Sequence, residues 1–192
     1  MRRMWLGCVV LSLLIGPPTV YGKGKGVEKS GFRLTSSDVV ANTKISIKHV
    51  YKGFGCEGGN LSPALAWSEV PPGTKSFAVT AYDPDAPTGS GWWHWVVYNI
   101  PADTTELKTG AGAADAPQLP AGAVQGRTDF GTVGYGGPCP PQGHGTHHYH
   151  FTVHALKVEQ LEVPADATAA LIGYMINANR IGKATLTGLY GR

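Results

Sequence analysis

Short runs in which apolar and polar residues alternate follow one another from residue 32 onward, separated by Gly, Pro, Asn and Asp. Alternation with a period of two is typical of β-strands, and the separating residues favour turns. The pattern therefore predicts a mostly β protein. The predicted strands are Phe32–Leu34, Lys44–Val50, Ser76–Tyr82, Trp95–Ile100 and His147–Leu156.

The run 147–156 shows which side of a strand is expected to be buried. Every second residue from 147 to 155 lies on one face, and this face is mostly apolar. We expect it to pack inward, with His147 and Tyr149 at the end that reaches a pocket. We expect His148, His150 and His154, on the other face, to be solvated or satisfied by neighbours.

Helical periodicity is confined to residues between Pro164 and Asn179, where apolar side chains recur every three or four positions. We predict one helix there, with Asp166 as its N-cap. The segment from Ala102 to Gly126 is rich in Ala, Gly, Pro and Asp and has weak periodicity. It is interpreted as a long connection with at most one helical turn.

The first residues have the pattern of a secretory signal peptide: Arg2 and Arg3, an apolar run from Met4 to Ile15, and small residues near Gly22. We predict a signal peptide over 1–22, a flexible lead-in over 23–30 and a single domain over 31–192. An uncleaved anchor is the alternative for the apolar run, and no later segment is apolar enough to span a membrane. This predicts a periplasmic or secreted protein.

The net charge of the chain limits the classes of partner that can be expected. Removing residues 1–22 takes away two basic residues and no acidic ones, which leaves 14 basic against 13 acidic residues and a net charge of +1. Without a run of Lys or Arg, nucleic acid and anionic membrane surfaces are poor partners. Two cysteines also remain, Cys56 and Cys139, which in an oxidising compartment form either a disulfide or two free thiols.

Two stretches carry the candidate chemistry. In the first, Asp83 and Asp85 lie on a proline-rich turn just before the aromatic segment that contains His94. Carboxylates facing His94 would favour its charged imidazolium, which could bind an anion. In the second, glycines 134, 136 and 137 and the prolines at 140 and 141 precede His147 and Tyr149. Imidazoles, a phenol and accessible backbone amides suit phosphate or carboxylate oxygens.

The order of these motifs, D-P-D-A-P, G-W-W-H-W-V-V-Y-N-I-P, G-Y-G-G-P-C-P-P and T-H-H-Y-H-F-T-V-H-A-L, resembles the phosphatidylethanolamine-binding protein (PEBP) family, also called Raf kinase inhibitor-like proteins. The resemblance covers about Phe32 to Tyr190, and the short link Thr88–Gly91 is similar to the bacterial branch. It implies two packed antiparallel β-sheets with a few peripheral helices, including one near the C-terminus.

The resemblance also implies a set of pocket residues and a cis Ala86–Pro87 bond. One departure from the family pattern is His148, which stands where the family usually has arginine, so any contribution of that charge would depend on pH. Carried over position by position, the ligand-binding residues are Asp83, Asp85, Pro87, His94, Pro141, His147 and Tyr149.

The predicted function is binding of an anion, namely a phosphate, a phospholipid head group or a carboxylate, with a regulatory or inhibitory role toward a partner protein. One alternative is a metal-dependent enzyme that uses the five histidines between His144 and His154. Another is a weak hydrolase that uses Asp83 and His94. Because no recognisable nucleophile motif is present, we predict no catalytic residue, no metal and no cofactor.

Overall fold

The computed structural model describes residues 31–115 and 118–192. The predicted signal peptide and lead-in lie outside the described residues. The strands are β1 (Arg33–Thr35), β2 (Lys52–Gly53), β3 (Cys56–Glu57), β4 (Leu65–Ser68), β5 (Ser76–Asp83), β6 (Trp92–Pro101), β7 (Glu106–Leu107), β8 (Val124–Gln125), β9 (His147–Leu156) and β10 (Arg180–Tyr190), with one helix, α1 (Ala169–Asn179), between β9 and β10.

The strands form a five-stranded antiparallel sheet in the order β10-β9-β5-β6-β8 and a three-stranded antiparallel sheet in the order β1-β4-β7. A two-stranded ribbon pairs β2 with β3. The long strand β5 is the centre of the large sheet, between β6 and β9. Its residues are buried on both faces, with the exception of the half-buried Tyr82, because both faces of the sheet are covered here.

Two apolar clusters cover the two faces of β5. On one face, Phe77 and Val79 of β5 pack with Leu34 and Trp67 of the three-stranded sheet. On the other face, Ala78 packs in a cluster that includes buried residues of α1. The predicted fold class, mostly β with packed antiparallel sheets and a helix near the C-terminus, is confirmed. Among the described residues, no helix has the length and apolar content needed to cross a membrane.

The predicted strand over 44–50 is wrong. Only Lys44 makes a strand-like bridge, and a 3₁₀ turn follows at Ile47–His49. The turn is closed by the amides of His49 and Val50, which donate to the carbonyls of Ser46 and Ile47. Alternation misleads here because Ile47 is exposed, whereas His49 is completely buried.

The helix is shorter than predicted and has a different cap. It begins at Ala169, and Thr168 is the N-cap, whose hydroxyl accepts a hydrogen bond from the amide of Leu171. Asp166 is therefore not the cap. A short polar side chain can cap a helix only where its backbone is extended just before the first turn, and Thr168 has that geometry.

Candidate functional site

The site lies where one end of β5 meets the beginnings of β6 and β9. Antiparallel pairing sets Asp83, the last residue of β5, opposite Trp92, the first residue of β6. It also sets Tyr82 opposite His150, so that the first residues of β9 extend past the end of β5. The two sequence stretches, about 40 residues apart in the chain, thus meet in space.

A pocket of about 200 Å³ opens at this point. Six of the seven predicted site residues line it, and Asp85 does not. The full lining is Phe54, Asp83, Ala86, Pro87, Thr88, Trp92, His94, Phe130, Cys139, Pro140, Pro141, His147 and Tyr149.

Each oxygen of the buried Asp83 carboxylate accepts a hydrogen bond from another protein group. Its Oδ2 atom lies 2.7 Å from Nδ1 of His147, and its Oδ1 atom accepts the amide of Asp85 at 2.8 Å. The Nε2 atom of His147 in turn lies 2.8 Å from Nδ1 of His144, which is exposed at the surface. A carboxylate and two imidazoles therefore link the pocket floor to solvent.

His94 differs from the sequence-based prediction. Asp83 pairs with His147 and not with His94, whose Nδ1 donates to the carbonyl of Gly136 at 2.7 Å. Burial lowers the pKa of His94, and it outweighs the opposing influence of the Gly136 carbonyl and the charge of Asp83. The structure thus does not give His94 the carboxylate partner that was expected to favour its imidazolium, and burial favours the neutral ring. The acid–base pair suggested for a weak hydrolase is not formed either.

Two donors of pocket residues make no hydrogen bond of normal geometry within the described part of the chain. These are the hydroxyl of Tyr149 and the indole Nε1–H of Trp92, and both atoms are buried. Burial raises the pKa of Tyr149, and the nearby charge of Asp83 raises it further, so the phenol keeps its proton. An unsatisfied buried donor costs about 1–3 kcal/mol. A bound acceptor would remove this cost.

Asp85 lies at the rim, where it holds the start of β9. Its Oδ2 atom accepts the backbone amide and Nδ1 of His148, each at 2.8 Å. Burial would raise the pKa of Asp85, but these hydrogen bonds outweigh it and lower the pKa. All peptide bonds of the described residues are trans, so the predicted cis Ala86–Pro87 bond is wrong. The turn is shaped instead by the bond from the Asp85 amide to the Asp83 side chain.

One wall of the pocket is fastened by a disulfide between Cys56 and Cys139. Cys139 and the following two prolines line the pocket, and Cys56 belongs to the β2–β3 ribbon. The guanidinium of Arg192 donates to the carbonyls of Phe54, Gly55 and Pro140, which ties the same two segments together. Of the two outcomes left open by the sequence, the structure has the disulfide.

Comparison with known proteins agrees with this geometry. The sequence model of the phosphatidylethanolamine-binding protein family matches residues 35–191. The chain belongs to this family. It is 56% identical to the UPF0098 protein YbcL of Escherichia coli (strain K12), covering 85% of this chain and 89% of that protein. It is 49% identical to the UPF0098 protein YbhB of the same organism, covering 82% and 99%.

Solved structures give the same result. The crystal structure of E. coli YbcL, described as a new member of the mammalian PEBP family, has a TM-score of 0.82 and 57% identity, with 84% of this chain and 98% of that chain covered. The PEBP homologue CT736 of Chlamydia trachomatis has a TM-score of 0.70 and 30% identity, with 85% and 99% covered. The fold and the family resemblance are thus confirmed.

Sequence reasoning missed the aromatic part of this PEBP pocket. Phe54, Phe130 and Trp92 all line it, and Phe130 contacts the ring of His94 with 5.4 Å between centroids. Phe54 is 68% exposed at the mouth, between two glycines that have positive φ angles. A large apolar residue in such a glycine-flanked loop was the available signal, because it cannot belong to a regular strand face.

The histidines between residues 144 and 154 do not converge on one point. His148 pairs with Asp85, His150 with Thr187, and His154 with Thr80. In the parts of the chain that the structure describes, no group of three His, Cys, Asp or Glu side chains is arranged to hold a metal ion. The crowding that suggested a metal site thus comes from alternation along one strand.

Proposed function

We propose that this PEBP-family protein binds a small oxyanion, a phosphate ester, phospholipid head group or carboxylate, at the floor of the pocket. The observation that carries the proposal is a pair of buried donors without a hydrogen-bond partner among the described residues, Tyr149 Oη and Trp92 Nε1, on two residues that line an open cavity. Donors kept without an acceptor are costly, and an oxyanion supplies several acceptor oxygens.

The size and polarity of the pocket support a ligand with two different parts. The floor carries the polar groups, whereas Phe54, Phe130 and Pro141 give the walls an apolar surface. A volume of about 200 Å³ accommodates a phosphate or carboxylate with a short organic substituent. Any longer chain would leave through the mouth beside Phe54.

We further propose that the protein works outside the cytoplasm and that the occupied pocket regulates a partner protein. The disulfide supports an oxidising compartment, in line with the signal peptide predicted from the sequence. The exposed ring of Phe54 at the mouth supports a partner surface next to the ligand, since its contacts would change when the pocket fills.

The test is calorimetric titration of the purified protein with phosphate, phosphoethanolamine and acetate. We expect saturable binding that Tyr149→Phe weakens at least tenfold, because one hydrogen bond to a charged ligand contributes about 1.5–3 kcal/mol. The matched control is His150→Ala, on the same strand but on the opposite face. Equal binding by the parent protein and folded Tyr149→Phe would show that the anion does not bind at this floor.

A further inference from the structure

The helix α1 is apolar on its outer side as well as on its inner side. The inner face packs on the large sheet and consists of Ala169, Ile172, Gly173 and Ile176. The outer face carries Leu171 and Tyr174, which are 40% and 68% exposed, and the helix has no charged residue. A surface helix usually presents charged or polar side chains to water. An exposed apolar face of this kind therefore indicates a partner.

Charged residues of opposite sign lie at the two ends of this outer face. Asp166 is exposed and comes shortly before the N-cap Thr168, whereas Arg180 directly follows the last residue of α1. The guanidinium of Arg180 donates to Oδ1 of the exposed Asn177, which places it on the solvent side of the helix. The outer face is thus uncharged in its middle, acidic at its beginning and basic at its end.

We propose that two copies of this chain associate through the outer face of α1, about a two-fold axis that sets the two helices antiparallel. A surface that binds its own copy has to be self-complementary. In an antiparallel pair, Asp166 of each copy meets Arg180 of the partner subunit, and the two helix dipoles also oppose each other. Tyr174 is the middle residue of α1, so it lies at the axis against its own copy.

A second copy fits this face better than a lipid surface does. Helices that lie on membranes usually carry several Lys and Arg residues beside their apolar face, whereas α1 has none and its outer face begins at a carboxylate. The interface is also separate from the pocket. Trp93 of β6 packs under Gly173 of α1, while its neighbours Trp92 and His94 line the pocket. Both pockets of the dimer therefore stay open to ligand.

Sedimentation equilibrium of the purified protein, from micromolar to submillimolar concentration, tests the association. The buffer should have low ionic strength, because salt screens exposed charge pairs. We expect a reversible dimer that Tyr174→Glu weakens by about tenfold or more, since this change sets two like charges against each other at the axis. Phe54→Ser is the matched control, because Phe54 at the pocket mouth is also 68% exposed. It should leave the dimer unchanged.

Charge reversal tests the antiparallel arrangement. Asp166→Lys and Arg180→Glu each place like charges opposite one another, so each variant alone should associate several-fold more weakly than the parent protein. An equimolar mixture of the two variants should recover the parent affinity, because every charge then faces its opposite across the axis.

Three results would overturn the proposal. The first is a protein that is monomeric at every concentration, and flotation of this monomer with phosphatidylcholine vesicles would assign the face to a membrane. The second is a dimer that Tyr174→Glu does not weaken, which would place the interface elsewhere. The third is a mixture of the two charge variants that associates no better than either alone, which would exclude the antiparallel pairing of α1.

Discussion

The disulfide between Cys56 and Cys139 should supply a large share of the stability of this protein. It closes a segment with a sequence separation of 83 residues. In the chain-entropy account of cross-links, a loop of that length restricts the unfolded chain by about 4.5 kcal/mol at 25 °C. Replacing both cysteines by alanine should therefore lower the free energy of unfolding by about 2–5 kcal/mol, the usual range for a native disulfide.

Equilibrium unfolding in urea measures this loss. With a slope of about 2 kcal/mol per molar urea, a loss of 4 kcal/mol moves the midpoint by about 2 M. Reducing the disulfide of the parent protein should move the midpoint by a similar amount, and the reductant should leave the double variant unchanged. A parent protein whose midpoint is insensitive to reductant, or which has two titratable thiols when folded, would refute the reasoning.

Three further predictions follow from buried or capping groups. The pKa of His154 is lowered by burial to about 3, so below about pH 6.5 the unfolded state binds more protons at this residue, and this residue alone should lower stability by about 1.4 kcal/mol per pH unit from pH 6 to 4. His154→Gln should remove this contribution from the slope of the unfolding free energy against pH. Thermal unfolding should show that Thr168→Ala costs about 1 kcal/mol, whereas Asp166→Ala costs almost nothing; equal costs would contradict the assigned cap. Gly137→Ala places a Cβ 2.0 Å from the carbonyl oxygen of His49, and a loss of less than about 1 kcal/mol in urea unfolding would contradict this close approach.

Parts of the fold could be predicted because the alternation of apolar and polar residues was clear there. The strand over 147–156 matches its predicted bounds, since apolar residues stand at every second position from Tyr149 to Ala155. The strand β10 was not predicted, although it is 11 residues long. Its glycines weaken the strand pattern in the sequence. At Gly188 a Cβ would lie 2.7 Å from Ile45, so the close approach of the two segments requires glycine where a strand would usually have a β-branched residue.

The limit of sequence-based prediction is clearer still in the site. The order of the motifs in the sequence was enough to predict that Asp83, His94 and His147 share one pocket. All three line it in the structure. It could not show which carboxylate serves which imidazole. That choice depends on the backbone carbonyl of Gly136, which accepts a hydrogen bond from Nδ1–H of His94 and leaves Asp83 to His147. Every residue has a main-chain carbonyl, so the sequence does not indicate which carbonyl accepts a given hydrogen bond.

The contacts of Arg192 have a consequence for the order of folding. Its guanidinium reaches the carbonyls of Gly55 and Phe54 across sequence separations of 137 and 138 residues, and these contacts hold the loop that carries Phe54 beside the pocket. Pairings between such distant segments are the slowest to form, because a long loop has to close first. Ligand affinity should consequently emerge late in refolding, after the central strands have paired, and occupancy of the pocket would report that the chain has completed its fold.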